Sequence, residues 1–168
     1  MSKRTDSNSY TMIFAIVMVL VVGSILAFFA SSLKPNIDEN KRIEKQQNIL
    51  YAMGVNENEG TSANFVSTKV AGTQFAKYIT KQIVIQGDQV TENDNAYLIE
   101  VKKEQTLAKE GKQRRLPLFI GEKDGKTFYV APILGKGLWD AIWGYVAMDE
   151  NMVVQGAYFD HKGETPGL

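Results

Sequence analysis

LPLFIGEKDGKTFYVAPI, residues 116–133, holds two apolar runs, Leu116–Gly121 and Lys126–Ile133, around Glu122-Lys123-Asp124-Gly125. Asp-Gly between apolar runs is a strong hairpin signal, because the favoured two-residue turn needs positive φ at both central positions. A second pair follows: Trp143–Met148 and Met152–Phe159 flank Asp149-Glu150-Asn151. Upstream, Gln82–Gln86 carries Ile83, Val84 and Ile85 and stops at Gly87-Asp88, and Tyr97–Val101 is another short apolar stretch.

Helical periodicity lies earlier in the chain. Over 36–53, Ile37, Ile43, Leu50 and Met53 fall on one stripe with Lys41, Glu44 and Lys45 outside it, and Gly54 is placed to stop the helix. Residues 55–69 lack a period and read as loop; a short helix is expected near 70–79. KKEQTLAKEGKQRR, residues 102–115, interleaves acids with bases, which points to a solvated loop or exposed helix rather than a basic patch. Helices first and antiparallel strands later make an α+β domain.

No residue from Ser7 to Leu33 is charged, and Met12 to Ala30 is almost wholly apolar. As a helix those residues rise about 28 Å, close to the hydrocarbon thickness of a bilayer. The run exceeds the roughly 7–15 residues of a signal-peptide core, although Ala30-Ser31-Ser32 resembles a cleavage site. The expected organisation is a tail and transmembrane anchor over 1–34 and a domain over 35–168, with the helix broken at Pro35. Lys3 and Arg4 favour an inside amino terminus; Lys34, Lys41, Arg42 and Lys45 argue the other way, but they open a large domain, where charge counting is weak. The domain is expected outside a bacterial inner membrane, on a single pass.

Composition narrows the chemistry. Nineteen basic residues balance nineteen acidic ones, so no cationic excess marks a nucleic-acid partner. With no cysteine and one histidine, cysteine-ligated clusters and multi-histidine metal sites are excluded. Redox work would fall to an organic cofactor. Two segments have the chemistry to meet one. Gly135-Lys136-Gly137-Leu138-Trp139 puts paired glycines beside a leucine and a tryptophan, suited to flank a flat ring or to form a plain turn before core residues. His161-Lys162-Gly163-Glu164-Thr165-Pro166-Gly167-Leu168 holds a Pro-Gly suited to a type II turn, either a ligand-facing bend or an ordinary surface turn; His161 reads as a solvated histidine.

The strings LPLFIGEKDGKTFYVAP, LGKGLWDAIWGYVAMD and QGAYFDHKGETPGL, with the single amino-terminal span and the Glu39-Asn40-Lys41-Arg42 helix, resemble the C subunit of the Na⁺-translocating NADH:quinone reductases. The resemblance implies an FMN-binding domain in an electron-carrying polypeptide. Its complex oxidises NADH, reduces quinone and exports Na⁺, and its partners are the other subunits and membrane lipid. It implies flavin contacts from Gly137, Leu138 and Trp139, and from Glu164, Thr165, Gly167 and Leu168. The family attaches FMN through a threonine in a Ser-Gly-Ala-Thr motif downstream of the ETPGL turn. That motif is absent from residues 1–168. No attachment residue is therefore named, and this chain alone is expected neither to esterify FMN nor to hold it tightly. No Gly-x-Gly-x-x-Gly run and no intramembrane acid is present, so nicotinamide and sodium sites are expected on partners. The alternatives are the G subunit of the related ferredoxin–NAD⁺ oxidoreductase complex and a non-redox anchored adaptor.

Overall fold

The structure, a computed structural model, describes residues 8–59, 62, 64–138 and 140–163. The chain divides into two units, residues 1–40 and 41–168. Helix α1 (Asn8–Ala52) begins in the first unit. Its apolar residues from Met12 to Phe29 are exposed, and in length and composition it meets the requirement for crossing a bilayer. The expected break at Pro35 is not present: α1 is one helix with Pro35 inside it. Proline removes one backbone donor, so Ser31 loses its usual hydrogen-bond partner, yet every other helical bond can persist.

In the second unit the last turns of α1 bury Gln46, Asn48, Ile49, Leu50 and Ala52. The helix stops as the glycine signal requires. Gly54 has φ 73°, its N–H donates to the Tyr51 carbonyl, and the Val55 N–H reaches back to the Leu50 carbonyl, satisfying the terminal acceptors. Helix α2 (Ala71–Tyr78) follows the loop. Strands β1 (Ile79–Gln86) and β2 (Gln89–Glu92) form a hairpin across Gly87-Asp88. Tyr97–Val101, read as a strand-like stretch, is instead a 3₁₀ turn over Ala96–Leu98 leading into helix α3 (Val101–Lys109). A run that short does not fix a period, and burial of Tyr97 against Phe75, ring centroids 5.5 Å apart, is satisfied from a turn.

Strands β3 (Leu116–Lys123), β4 (Lys126–Lys136), β5 (Ala141–Met148) and β6 (Val154–His161) complete one antiparallel sheet in the order β2-β1-β3-β4-β5-β6. The β3–β4 turn has Asp124 at φ 52° and Gly125 at φ 74°, as the Asp-Gly pair demands. In the β5–β6 loop Asp149 takes over the turn, its Oδ1 accepting the N–H of Asn151 (2.8 Å) and of Val153 (3.0 Å). The fold is α+β, with a long amino-terminal apolar helix.

Register sorts the sheet into two faces. One row runs Phe119, Val130, Ala147, Gly156 across β3 to β6; Phe119, Val130 and Ala147 are buried beneath the helices, and Gly156 lies against the Ala52 carbonyl. The adjacent row, Ile120, Tyr129 and Met148, points the other way, since successive residues of a strand alternate faces. The charged stretch 102–115 is mostly solvated, with one exception. Glu104 is 3% exposed and takes the Arg115 guanidinium (2.7 and 3.0 Å) and the Arg115 N–H (2.8 Å), tying α3 to the start of β3.

Candidate functional site

The β4–β5 connection is a four-residue loop, 137–140, closed by the pair Lys136 and Ala141. The Gly137 N–H donates to the Asp140 carbonyl at 2.8 Å. A Cβ on Gly137 would run into the Ile142 side chain, so this position accepts nothing larger without displacing Ile142. Asp140 pins the loop from the other side: its Oδ1 accepts the Ala141 N–H (2.7 Å), and its Oδ2 meets Lys162 Nζ (3.1 Å). The bond from the Ala141 amide, with help from Lys162, holds the Asp140 carboxyl below its ordinary pKa. Leu138 stands at the tip, 89% exposed. Gly137 and Leu138 are thus brought together at one end of the sheet; Trp139, Glu164, Thr165, Gly167 and Leu168 lie outside the described residues.

Two clefts adjoin this loop. The first, about 230 Å³, has an apolar floor from the helix-covered face: Pro132 and Leu134 of β4 beside their register partners Tyr145 and Trp143 of β5. Ile99 and Val101 form a wall, and Lys45, Lys102 and Lys162 reach its rim. Lys45 Nζ donates to the Leu98 carbonyl at 3.4 Å, and burial lowers its pKa despite the opposing charges of Glu100 and Glu44. Burial also raises the Tyr145 hydroxyl; that of Tyr158, its cross-strand partner, is pushed up to about 12 by burial and then by Asp160. Both phenols therefore stay neutral at physiological pH.

The second cleft, about 370 Å³, shares Lys102, Leu134 and Ala141 with the first. Lys102, Thr106 and Lys109 line it from one face of α3, at helical spacing, and Lys136 lines it from β4. The Gln105 Nε2 donates to the Leu134 carbonyl (3.3 Å), fastening α3 to that strand. Among the described residues, the clefts together hold five lysines, Lys45, Lys102, Lys109, Lys136 and Lys162, against two carboxylates, Glu100 and Asp140. Each of those carboxylates is already paired with a lysine. In a chain of zero net charge this is a local cationic rim around an apolar floor, chemistry suited to a flat anionic ligand. Trp143, Lys45 and Lys102 gave no sequence signal, because only folding brings residues so distant in the chain to one cleft.

Comparison with known proteins now bears on the family. No family model matches the chain. The C subunit of the Na⁺-translocating NADH-quinone reductase of Haemophilus ducreyi is 30% identical over 171 residues, spanning 97% of this chain and 66% of that protein. The same protein of Pseudomonas aeruginosa is 29% identical over 175 residues, with 97% and 67% covered. The crystal structure of the C subunit from Parabacteroides distasonis superposes with a TM-score of 0.64 at 31% identity, covering 81% of this chain and 61% of that one. The chain belongs to this C-subunit family. It spans about two thirds of the length of the curated relatives it matches. The α+β fold with an antiparallel six-stranded sheet agrees with the solved member of the family.

Proposed function

We propose that this chain is an electron-carrying component of a membrane NADH:quinone reductase that exports Na⁺, and that residues 137–138 with the adjoining clefts help to hold its FMN. The observation that carries the reading is the lysine-rimmed apolar cleft beside the Gly137-Leu138 loop, in a chain of this family. The residues fit the group by their donor chemistry. Trp143, Leu134 and Pro132 offer a hydrophobic floor, and the lysines of α3 and β4 offer cations for a phosphate. A bound flavin would supply the reversible electron uptake. The protein's own part is orientation and electrostatics. Asp140 and Lys162 fix the loop, Leu138 projects from it, and Lys45 places a partly desolvated cation at the rim.

Residues 1–34 are proposed as the membrane anchor and 35–168 as the cofactor domain, outside the inner membrane. The remaining subunits of the complex would carry the nicotinamide and sodium sites. Trp139, Glu164, Thr165, Gly167 and Leu168 remain proposed flavin contacts, and the covalent attachment residue lies in none of residues 1–168. The curated relatives favour the sodium enzyme over the ferredoxin-linked one.

The test is deletion of the gene from its host. Membranes should lose NADH:quinone reductase activity that sodium stimulates, and the reductase complex isolated from wild-type membranes should contain this subunit and lose part of its flavin absorbance when the subunit is deleted. Membranes that keep the activity, or a complex whose flavin content is unchanged by the deletion, would refute the proposal.

A further inference from the structure

The two ends of the sheet differ in charge. At the end formed by the β3–β4 turn and the β5–β6 loop lie Glu122, Asp124, Asp149 and Glu150, against Lys123 and Lys126. Lys123 is drawn onto the Gly54 carbonyl (2.7 Å). The opposite end, formed by the β4–β5 loop, is cationic because both clefts lie there. Lys103 Nζ takes up Glu100 (2.9 Å) and Lys162 Nζ takes up Asp140 (3.1 Å). The charges of Lys45, Lys102, Lys109 and Lys136 are then matched by no other carboxylate lining the clefts. A bound FMN would bring one phosphate, worth about two negative charges, and leave a positive surplus on the rim. Leu138 at the loop tip is exposed, and so is Ile142, whose side chain lies against Gly137; both add apolar surface at this same end.

An electron carrier exchanges electrons only with what reaches the end of it that holds the cofactor. We propose that the β4–β5 end of the sheet is the docking face for another subunit of the membrane complex, and that this partner presents a protruding, carboxylate-rich segment with an apolar tip. The inference rests on the electron-carrier reading above. Charge complementarity sets the partner's sign, since unmatched lysines attract carboxylates and reject a second basic surface. Shape decides against lipid. The lysines rim concave clefts of about 230 and 370 Å³, which a protruding side chain can enter and a flat bilayer surface cannot. Burying Leu138 alone would contribute about 1.5–3 kcal/mol, too little to hold a domain on lipid. The acidic hairpin end repels the same partner, so the charge asymmetry turns the domain cleft-first on approach. Rim charges of this kind speed association and fix register, and salt screens them. Such an interface suits a partner that binds, exchanges an electron and leaves.

The experiment compares the assembled reductase complex with the full chain alone in lipid nanodiscs, one set of phosphatidylcholine and one containing phosphatidylglycerol. Acetylation of each lysine by acetic anhydride is followed by mass spectrometry. Lys102, Lys109 and Lys136 should react severalfold more slowly in the complex than in phosphatidylcholine nanodiscs. Salt at about 1 M, where the screening length falls to roughly 3 Å, should restore their reactivity. Lys126, at the opposite end, should react equally in every preparation. Carbodiimide, which joins an amine to a carboxylate in contact with it, should couple the cleft lysines to a second subunit. Lys109→Glu should cut coupling through Lys102 and Lys136 roughly tenfold, whereas Lys126→Glu, the same change of charge at the other end, should leave it unchanged. Equal acetylation in the complex and in phosphatidylcholine nanodiscs would overturn the proposal, as would coupling confined to Lys123 and Lys126. Protection by phosphatidylglycerol equal to that in the complex would assign the face to lipid and overturn it too. Flavin absorbance of the complex, with and without the subunit, keeps the two readings apart. A flavin content indifferent to the subunit refutes the electron carrier, and missing protection in a complex that keeps its flavin refutes the docking face alone.

Discussion

Phe119 and Ile120 are neighbours in the chain, both apolar, in the same central strand. One is 1% exposed beneath the helices; the other faces outward with Tyr129 and Lys81 as its cross-strand partners. Hydrophobicity alone does not distinguish them, so sequence reports how apolar a strand is and leaves open which face is covered. The difference is energetic and can be measured. Phe119→Ala removes a side chain packed edge-on against Tyr145, centroids 6.3 Å apart, and leaves a cavity that rigid neighbours cannot close. The expected loss is about 3–5 kcal/mol by chemical denaturation. A loss below about 1 kcal/mol would mean that the helix-covered face is no better packed than the outer one.

Much of the architecture was legible for reasons visible at particular residues. Asp124-Gly125 fixed the β3–β4 hairpin because only a turn with positive φ suits that pair between apolar runs, and Gly54 marked the end of α1. Strand β2 was missed because all four of its residues, Gln89 to Glu92, are exposed and carry no alternation. Pro35 read as a break since proline usually ends helices, but α1 passes through it. At the candidate site, Gly137 and Leu138 came from resemblance to a family motif. The cleft beside them was not readable, because its floor joins β4 to β5 and its rim takes Lys45 from α1, Lys102 from α3 and Lys162 just beyond β6.

A charged residue on the covered side sharpens the comparison. Glu104 is buried, yet burial, which opposes its charge, is outweighed by the hydrogen bonds from the Arg115 side chain and backbone, and its pKa is lowered. A depressed carboxyl binds fewer protons in the folded state than in the unfolded one, so its stabilisation is present above the unfolded value and fades as pH falls through the folded one. Thermal melts should therefore show this share of stability intact at neutral pH and lost below about pH 4.5, the carboxyl's ordinary value. Glu104→Gln keeps the shape but discards the charge. Because Arg115 stays half in solvent and can rehydrate, the expected loss at pH 7 is about 1–2 kcal/mol, below the value for a fully buried pair. The variant's melting temperature should also depend less on pH in the acid range. An unchanged pH profile would show that Glu104 is not held ionised by Arg115.

The smallest effect is expected on the outer face. Ile120→Thr keeps the β-branched shape a strand favours while removing apolar contact. Ile120 loses little by the change, since it is only partly buried, and a loss of less than about 1 kcal/mol by chemical denaturation is expected. Phe119, its neighbour in the chain, sits in the core, so the two substitutions measured side by side test the comparison itself. A loss at Ile120 as large as that at Phe119 would mean that the outward row is packed as tightly as the helix-covered one, and that burial on one face alone does not account for the apolar character of β3.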